Sequence, residues 1–495
     1  MAFRSDKPHD HCGVFGIYGH PQAATTTYYG LTALQHRGQE GTGIVSSHYD
    51  SAAGRHRFFV HKDFGLVNDV FRDDTILTTQ LRGQAAIGHN RYSTAGAAEN
   101  RNNIQPLVVN YRGGHLAISH NGNLSNFGSI HRRLQQDGTI FQTTSDTEII
   151  LHLIARSKAE DQIHQILDAL NQVEGAFSLT ILTDDKLIAA RDPHGWRPLC
   201  FGKLNGAFVV ASETCAFDIM NAEYLDEVKP GEVLVFDADT VRTGEAKSYH
   251  LKGKPPRPHF CIFEFIYFSR PDSKIFGENV DKVRRRLGKA LARQHPVSAD
   301  DENERILVIN VPDSSNTATL GFATENSKLG NPSKYEIGLI RSHYIGRTFI
   351  QPQEDIRELR VKMKFNTVKG VLKGKRIVVV DDSIVRGTTS KMLVRLLHEA
   401  EPKEIHFRVS SPPIRYPCHY GMDFPRPNEL IANRLDGNTA MIQRELGVDS
   451  LGYLSLENLL ASVPTEGGQS YCTACFSGEY PTDVEADVSK DVFDI

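Results

Sequence analysis

Two groups of residues have types and spacings suited to bond-making chemistry, and they lie at opposite ends of the chain. Near the front, Cys12 heads the run Cys-Gly-Val-Phe-Gly-Ile behind a polar leader, residues 1–11. A cysteine there is either the buried start of a first strand or, once the leader is cleaved, a thiol carrying its own α-amine. A free α-amine has a pKa near ~7.7–8.0 and can act as general base for that thiol at neutral pH. Towards the back, Val378-Val-Val-Asp-Asp-Ser-Ile-Val-Arg-Gly-Thr-Thr-Ser390 runs an apolar strand into two adjacent carboxylates, Asp381 and Asp382. Ser383, Gly387, Thr388 and Thr389 follow, immediately ahead of a helical pattern. Main-chain N–H groups at such a helix start suit an anion, and Gly387 lets the backbone approach a phosphate. The carboxylate pair suits ribose hydroxyls and the Mg2+ of a diphosphate. The loop is not of the Walker type, since it lacks Gly-x-x-x-x-Gly-Lys-Ser/Thr.

Four polar, glycine-rich segments punctuate the first half: residues 36–43, 88–96, 119–124 and 143–148. Each joins a strand-like run to a turn, where site residues usually project. The cysteines stand at 12, 200, 215, 261, 418, 472 and 475, too few and too scattered for a secreted disulfide scaffold. Cys472-Thr-Ala-Cys475 is a C-x-x-C pair that alone fits redox chemistry, zinc or neither. Cys200 and Cys215 lie in apolar runs and read as core.

The elements that must position these residues change character along the chain. Short apolar runs at 85–89, 115–120, 176–183, 186–191, 207–212 and 232–237, with helical patterns at 144–157 and 161–173, predict layered antiparallel sheets with helices outside. Strands at 305–311, 376–380 and 404–410, with a helix at 390–399, predict a parallel α/β domain. Residues 250–258, rich in Pro, Gly and basic side chains, read as a linker. The chain has 495 residues, 40% hydrophobic and 23% charged, with a net charge of −4, values that argue against disorder and against a strongly basic nucleic-acid binder. Nothing approaches the ~18 apolar residues of a membrane span, and the leader is no signal peptide, so the expected location is cytoplasmic.

The four segments, in this order behind Cys12, resemble the glutaminase domain of class II (N-terminal nucleophile, Ntn) glutamine amidotransferases, over Cys12 to about Gly244. The resemblance implies that Cys12 attacks the glutamine amide and that Asn121 and Gly122 supply the oxyanion hole. It also implies that Arg91 clamps the substrate carboxylate and Asp146 its ammonium. The Asp381–Thr389 loop resembles the PRPP (5-phosphoribosyl-1-diphosphate) motif of type I phosphoribosyltransferases, which implies PRPP contacts from Asp381, Asp382, Ser383, Arg386, Gly387, Thr388 and Thr389. Ser314 matches a Mg2+ position beside Asp381 and Asp382. Arg347, in Tyr344-Ile-Gly-Arg-Thr-Phe-Ile-Gln-Pro352, matches a flap over PRPP, with Arg357, Arg360, Lys362 and Lys364 downstream.

Together the halves resemble the glutamine phosphoribosylpyrophosphate amidotransferase (amidophosphoribosyltransferase) family. This implies transfer of ammonia from glutamine to PRPP, giving 5-phospho-β-D-ribosylamine for purine synthesis. Within the family, Cys261, Cys418, Cys472 and Cys475 match the ligands of a 4Fe–4S cluster in a branch with a propeptide. The implied organisation is a propeptide at 1–11, an Ntn glutaminase domain at 12–249, a linker at 250–275, an α/β phosphoribosyltransferase domain at 276–470 and a cluster-bearing segment at 471–495. Purine nucleotide feedback inhibitors and a homo-tetramer are implied too; nucleic acid and membrane partners are not expected. Other class II amidotransferases lack the Asp381-Asp382 loop, and the remaining alternative is a non-catalytic PRPP-sensing regulator. Trp196, the only tryptophan, replaces a familiar Ile and is expected to alter packing, and residues 325–334 read as a surface insertion.

Overall fold

The computed structural model describes residues 12–92, 100–253, 256–301, 304–342, 363–422, 427–465 and 470–484. The leader, most of the expected flap with Arg347, Arg357, Arg360 and Lys362, and the end of the acidic tail lie outside them.

Thirteen strands among the described residues build the first half: β1 (Gly13–Tyr18), β2 (Gly41–Asp50), β3 (Arg55–Phe64), β4 (Ala85–Arg91), β5 (Leu107–Tyr111), β6 (Gly114–Leu124), β7 (Gly175–Thr183), β8 (Leu187–Arg191), β9 (Cys200–Leu204), β10 (Ala207–Ala211), β11 (Glu223–Glu227), β12 (Glu232–Phe236) and β13 (Lys247–His250). They form two antiparallel sheets, ordered β11-β9-β10-β1-β4-β2-β3 and β13-β12-β8-β7-β6-β5. The strand period of two sorts their side chains. Val14, Ile87, Leu182 and Leu234 meet between the sheets. Phe15 and Ile17 turn outward to the helix Ala23–Ala33, and Ile118, Leu179 and Ile181 turn outward to the helices Thr147–Arg156 and Gln162–Leu170. The result is a helix–sheet–sheet–helix stack.

The segment leading to the second half carries β14 (Phe260–Cys261) and the hairpin β15 (Lys274–Ile275) with β16 (Glu278–Asn279). It is densely packed: Phe260, Phe263, Phe265 and Phe276 are buried in one core with the helix Val280–Gln294. The second half contains β17 (Ile306–Asn310), β18 (Ser333–Tyr335), β19 (Leu339–Arg341), β20 (Phe365–Thr367), β21 (Arg376–Asp381), β22 (Glu404–Val409), β23 (Ser450–Tyr453) and β24 (Tyr471–Cys472). Its sheet runs β18-β17-β21-β22-β23 with every pair parallel. Val378 and Val380 face one helical layer while Ile377 and Val379 face the other, so β21 is apolar on both sides, as a doubly covered parallel strand must be.

The sequence-based expectation fails in places. The helix Ala23–Ala33 buries Ala, Thr and Gly, which give little apolar contrast. The expectation of a surface segment at 325–334 fails at its first two residues, while residues 327–330 are exposed. Glu325 and Asn326 belong to the helix Asn316–Lys328 and are buried, Glu325 pairing with Arg293 and Asn326 bonding the Val297 main chain.

Candidate active sites

Cys12 stands directly before β1, and the β1–β4 register (Gly13 opposite Asn90) brings it abreast of Arg91, the last residue of β4. Both are buried. The thiol donates to the Tyr92 carbonyl at 3.3 Å, and Arg37 Nε donates to the Cys12 carbonyl at 3.2 Å. Burial pushes the Cys12 thiol up to about 11, against the pull of the Tyr92 hydrogen bond and Arg91. With the chain continuing N-terminally, this cysteine is a buried, neutral thiol.

Asn121 and Gly122 come from β6 in the facing sheet. The sheets are tied at this level by His89 of β4, whose Nε2 lies 3.1 Å from the His120 carbonyl. Burial lowers the His89 pKa to about 3, so the ring is neutral and donates there. Asn121 is fully buried, and among the described residues neither its side-chain oxygen nor its nitrogen has a hydrogen-bond partner. An unsatisfied buried amide costs about 1–3 kcal/mol, and a ligand that pairs it is one way to offset that cost. Gly122 has φ +154°, and a Cβ there would lie 2.0 Å from the Ala176 carbonyl oxygen. Only glycine fits.

Asp146 precedes the helix Thr147–Arg156 but makes no side-chain cap to it. Its carboxylate accepts from the Leu124 N–H at 2.9 Å and lies 3.6 Å from His120 Nδ1. Burial raises its pKa, but His120 and the hydrogen bonds outweigh that and hold it below the ordinary aspartate value. The result is a fixed anion on the β6 side, and both it and the Arg91 cation act electrostatically on the Cys12 thiol.

The rear site occupies the C-terminal ends of adjacent strands β17 and β21, where chain order reverses across the sheet, a usual ligand position in open α/β sheets. Asp381, Asp382 and Ser383 are buried there. The Ser383 hydroxyl donates to Asp382 at 2.6 Å, and Ser314, from the turn after β17, donates to the other Asp382 oxygen. Gly387, φ +83°, opens the helix Thr388–His398, and a Cβ on it would meet Ile431 Cδ1 at 2.5 Å. Thr388 and Thr389 begin that helix, while Arg386 bonds Glu429 at 2.8 Å.

β14 and β24 pair in parallel with Cys261 opposite Cys472. Cys261, Cys418, Cys472 and Cys475 line one pocket, together with Trp196 and Tyr420. Trp196 is fully buried and stacks on Tyr420 at 4.2 Å. Cys200 and Cys215 are buried in the first-half core.

Sequence reasoning missed the second layer. Arg37 lies in the 36–43 segment yet drew no role. It is buried, bonded to Glu213 at 2.5 Å and to Glu264 at 3.0 and 2.8 Å. Nothing local marks it, since residues 36–43 carry several polar and charged side chains.

Paired antiparallel sheets headed by Cys12, followed by a parallel sheet with an acidic-pair phosphate loop, define an Ntn-type glutamine amidotransferase fused to a phosphoribosyltransferase fold. A family model described as "Glutamine amidotransferase domain" matches residues 89–218. Amidophosphoribosyltransferase 2, chloroplastic, of Arabidopsis thaliana is 48% identical over 486 residues, covering 98% of this chain and 82% of the relative. The amidophosphoribosyltransferase of Bacillus subtilis is 45% identical, covering 97% of this chain and 95% of the relative. The solved B. subtilis glutamine PRPP amidotransferase, complexed with ADP and GMP, superposes with a TM-score of 0.86 at 44% identity, over 97% of this chain and 99% of that one. The chain belongs to the amidophosphoribosyltransferase family.

Proposed function

We propose that this enzyme transfers the amide nitrogen of glutamine to PRPP, forming 5-phospho-β-D-ribosylamine, glutamate and diphosphate, the first committed step of purine synthesis. The observation that carries the reading of the front site is the buried, unpartnered Asn121 amide beside Gly122, on the sheet facing Cys12. Removal of residues 1–11 frees the Cys12 amine. The thiol proton passes to that amine, Sγ attacks the glutamine amide carbon, and the oxyanion meets Asn121 and the Gly122 N–H. The α-ammonium then protonates the departing ammonia, and water releases glutamate from the thioester. Arg91 and Asp146 hold the substrate carboxylate and ammonium.

Ammonia moves through the interior to the Asp381–Thr389 loop and attacks C1 of PRPP, displacing diphosphate. Two adjacent buried carboxylates, Asp381 and Asp382, the latter bonded to Ser314 and Ser383, suit a divalent cation. Mg2+ held by Ser314, Asp381 and Asp382 would neutralise charge on the leaving diphosphate. Arg386 and Arg347 belong to this reading as further PRPP contacts.

Among the described residues no three His, Cys, Asp or Glu side chains converge on a point suited to one metal ion. Four cysteines lining one pocket suit either zinc or an iron–sulfur cluster, and the family resemblance favours the cluster. A 4Fe–4S cluster would cross-link β14, the loop bearing Cys418 and the chain end at β24. Purine nucleotides as inhibitors, a homo-tetramer and a cytoplasmic location complete the proposal; the B. subtilis relative is solved with ADP and GMP, whereas the plant relatives are chloroplastic.

The test is Cys12→Ser. Glutamine-dependent synthesis should vanish while ammonia-dependent synthesis persists; loss of both would contradict two separate sites. The intact mass of active enzyme should lack residues 1–11, and their retention would remove the amine from the mechanism.

A further inference from the structure

An unbroken run of hydrogen bonds joins the two sites through the interior. Arg37 donates to the Cys12 carbonyl at 3.2 Å and forks onto Glu264 at 3.0 and 2.8 Å. The Ser269 hydroxyl donates to the same carboxylate at 2.7 Å. Arg284 then donates to the carbonyls of Phe265, Ser269 and Ser314 at 2.7, 2.8 and 3.3 Å. Ser314 completes the run on Asp382. Arg37, Glu264, Ser269, Arg284 and Asp382 are all buried.

We propose that Glu264, Ser269 and Arg284 are positioning residues that make glutamine chemistry at Cys12 depend on what occupies the Asp382 loop. This rests on the two-site reading above. The ends of the run are the groups that would feel ligand: Ser314 and Asp382 on the PRPP side, and the main chain of the nucleophile on the other. Its middle is stiff. Arg284 grips Phe265 and Ser269, the two ends of one turn, so a shift of Ser314 displaces that turn as a unit and carries Glu264 with it. Bidentate charge-assisted bonds between buried side chains transmit such a shift into Arg37 and the Cys12 carbonyl. The second carboxylate on Arg37, Glu213, bonds His36 and Ser273 instead and acts as the fixed side of the clamp.

The test uses full-length enzyme and two substitutions. Ser269→Ala deletes one hydroxyl and leaves the carbonyl that Arg284 uses; Arg284→Lys keeps the charge and loses the fork. Glutamate release is measured with and without PRPP and Mg2+, alongside ammonia-dependent synthesis and a thermal melt. PRPP stimulation should fall about five-fold in Ser269→Ala and further in Arg284→Lys, with PRPP-free hydrolysis and ammonia-dependent synthesis within about two-fold of wild type. Unchanged stimulation in both folded variants would overturn the proposal. So would a matching loss of ammonia-dependent synthesis, which would make these residues part of the rear site's own architecture. Absence of stimulation in the wild type would instead overturn the two-site reading.

Discussion

Gly421 of the second half lies against Gly122 of the first, backbone on backbone, so that a Cβ on Gly421 would sit 3.0 Å from the Gly122 carbonyl carbon. The approach is held on both sides: Asn123 donates to the His419 carbonyl at 2.9 Å and Arg197 to the Tyr420 carbonyl at 2.7 Å. The loop that carries Cys418 thus forms part of the wall behind Gly122. At φ +101°, Gly421 has a conformation that costs other residues about 1–3 kcal/mol. Gly421→Ala should therefore lower glutamine-dependent kcat at least about ten-fold while sparing ammonia-dependent synthesis. Equal loss of both activities would mean that the contact supports only the fold.

On the proposed mechanism, Asn121→Ala removes a donor for the developing oxyanion. The expected loss is about 10²–10³ in kcat for glutamine hydrolysis, with little change in KM. A rise in KM at constant kcat would make Asn121 a ground-state binding residue.

How much of this was legible in the sequence differs between the two sites. The rear loop is contiguous: strand, carboxylates, glycine and helix start follow within residues 378–390, so pattern alone located it. The front site draws Cys12, Arg91, Asn121 and Asp146 from four separated segments, and only resemblance grouped them before the facing sheets did. Arg37 and Glu264, 227 positions apart, carry no local pattern at all. The helix Val280–Gln294 was also not anticipated, although its apolar face is clear, because Arg284 interrupts that face to reach three main-chain carbonyls.

Acid should loosen the join between the halves. Burial alone would raise the pKa values of Glu213 and Glu264, but His36 and Arg37 outweigh it for Glu213, and Arg37 and Arg197 for Glu264, leaving both below the ordinary glutamate value. The unfolded chain, with glutamates near ~4.3, then takes up protons before the native state does. The stabilisation is complete above about pH 5 and is lost as pH falls through the lowered native values. Urea midpoints at neutral and acidic pH test this. Glu264→Gln should cost about 3–5 kcal/mol at neutral pH, and its deficit against wild type should shrink on acidification. A deficit constant with pH would contradict the ionic account.

Anaerobically purified enzyme should contain iron and acid-labile sulfide in equal amounts, about four of each per chain, and Cys418→Ala should lose both. Zinc at one per chain, or no metal, would overturn the cluster assignment.

The most direct test of the central claim is glutamate release from glutamine by leader-free enzyme with Mg2+, with and without PRPP, counted against phosphoribosylamine formed. Two coupled sites predict a rate strongly raised by PRPP and one phosphoribosylamine for each glutamate. Glutamate release indifferent to PRPP, or glutamate formed without phosphoribosylamine, would contradict the account.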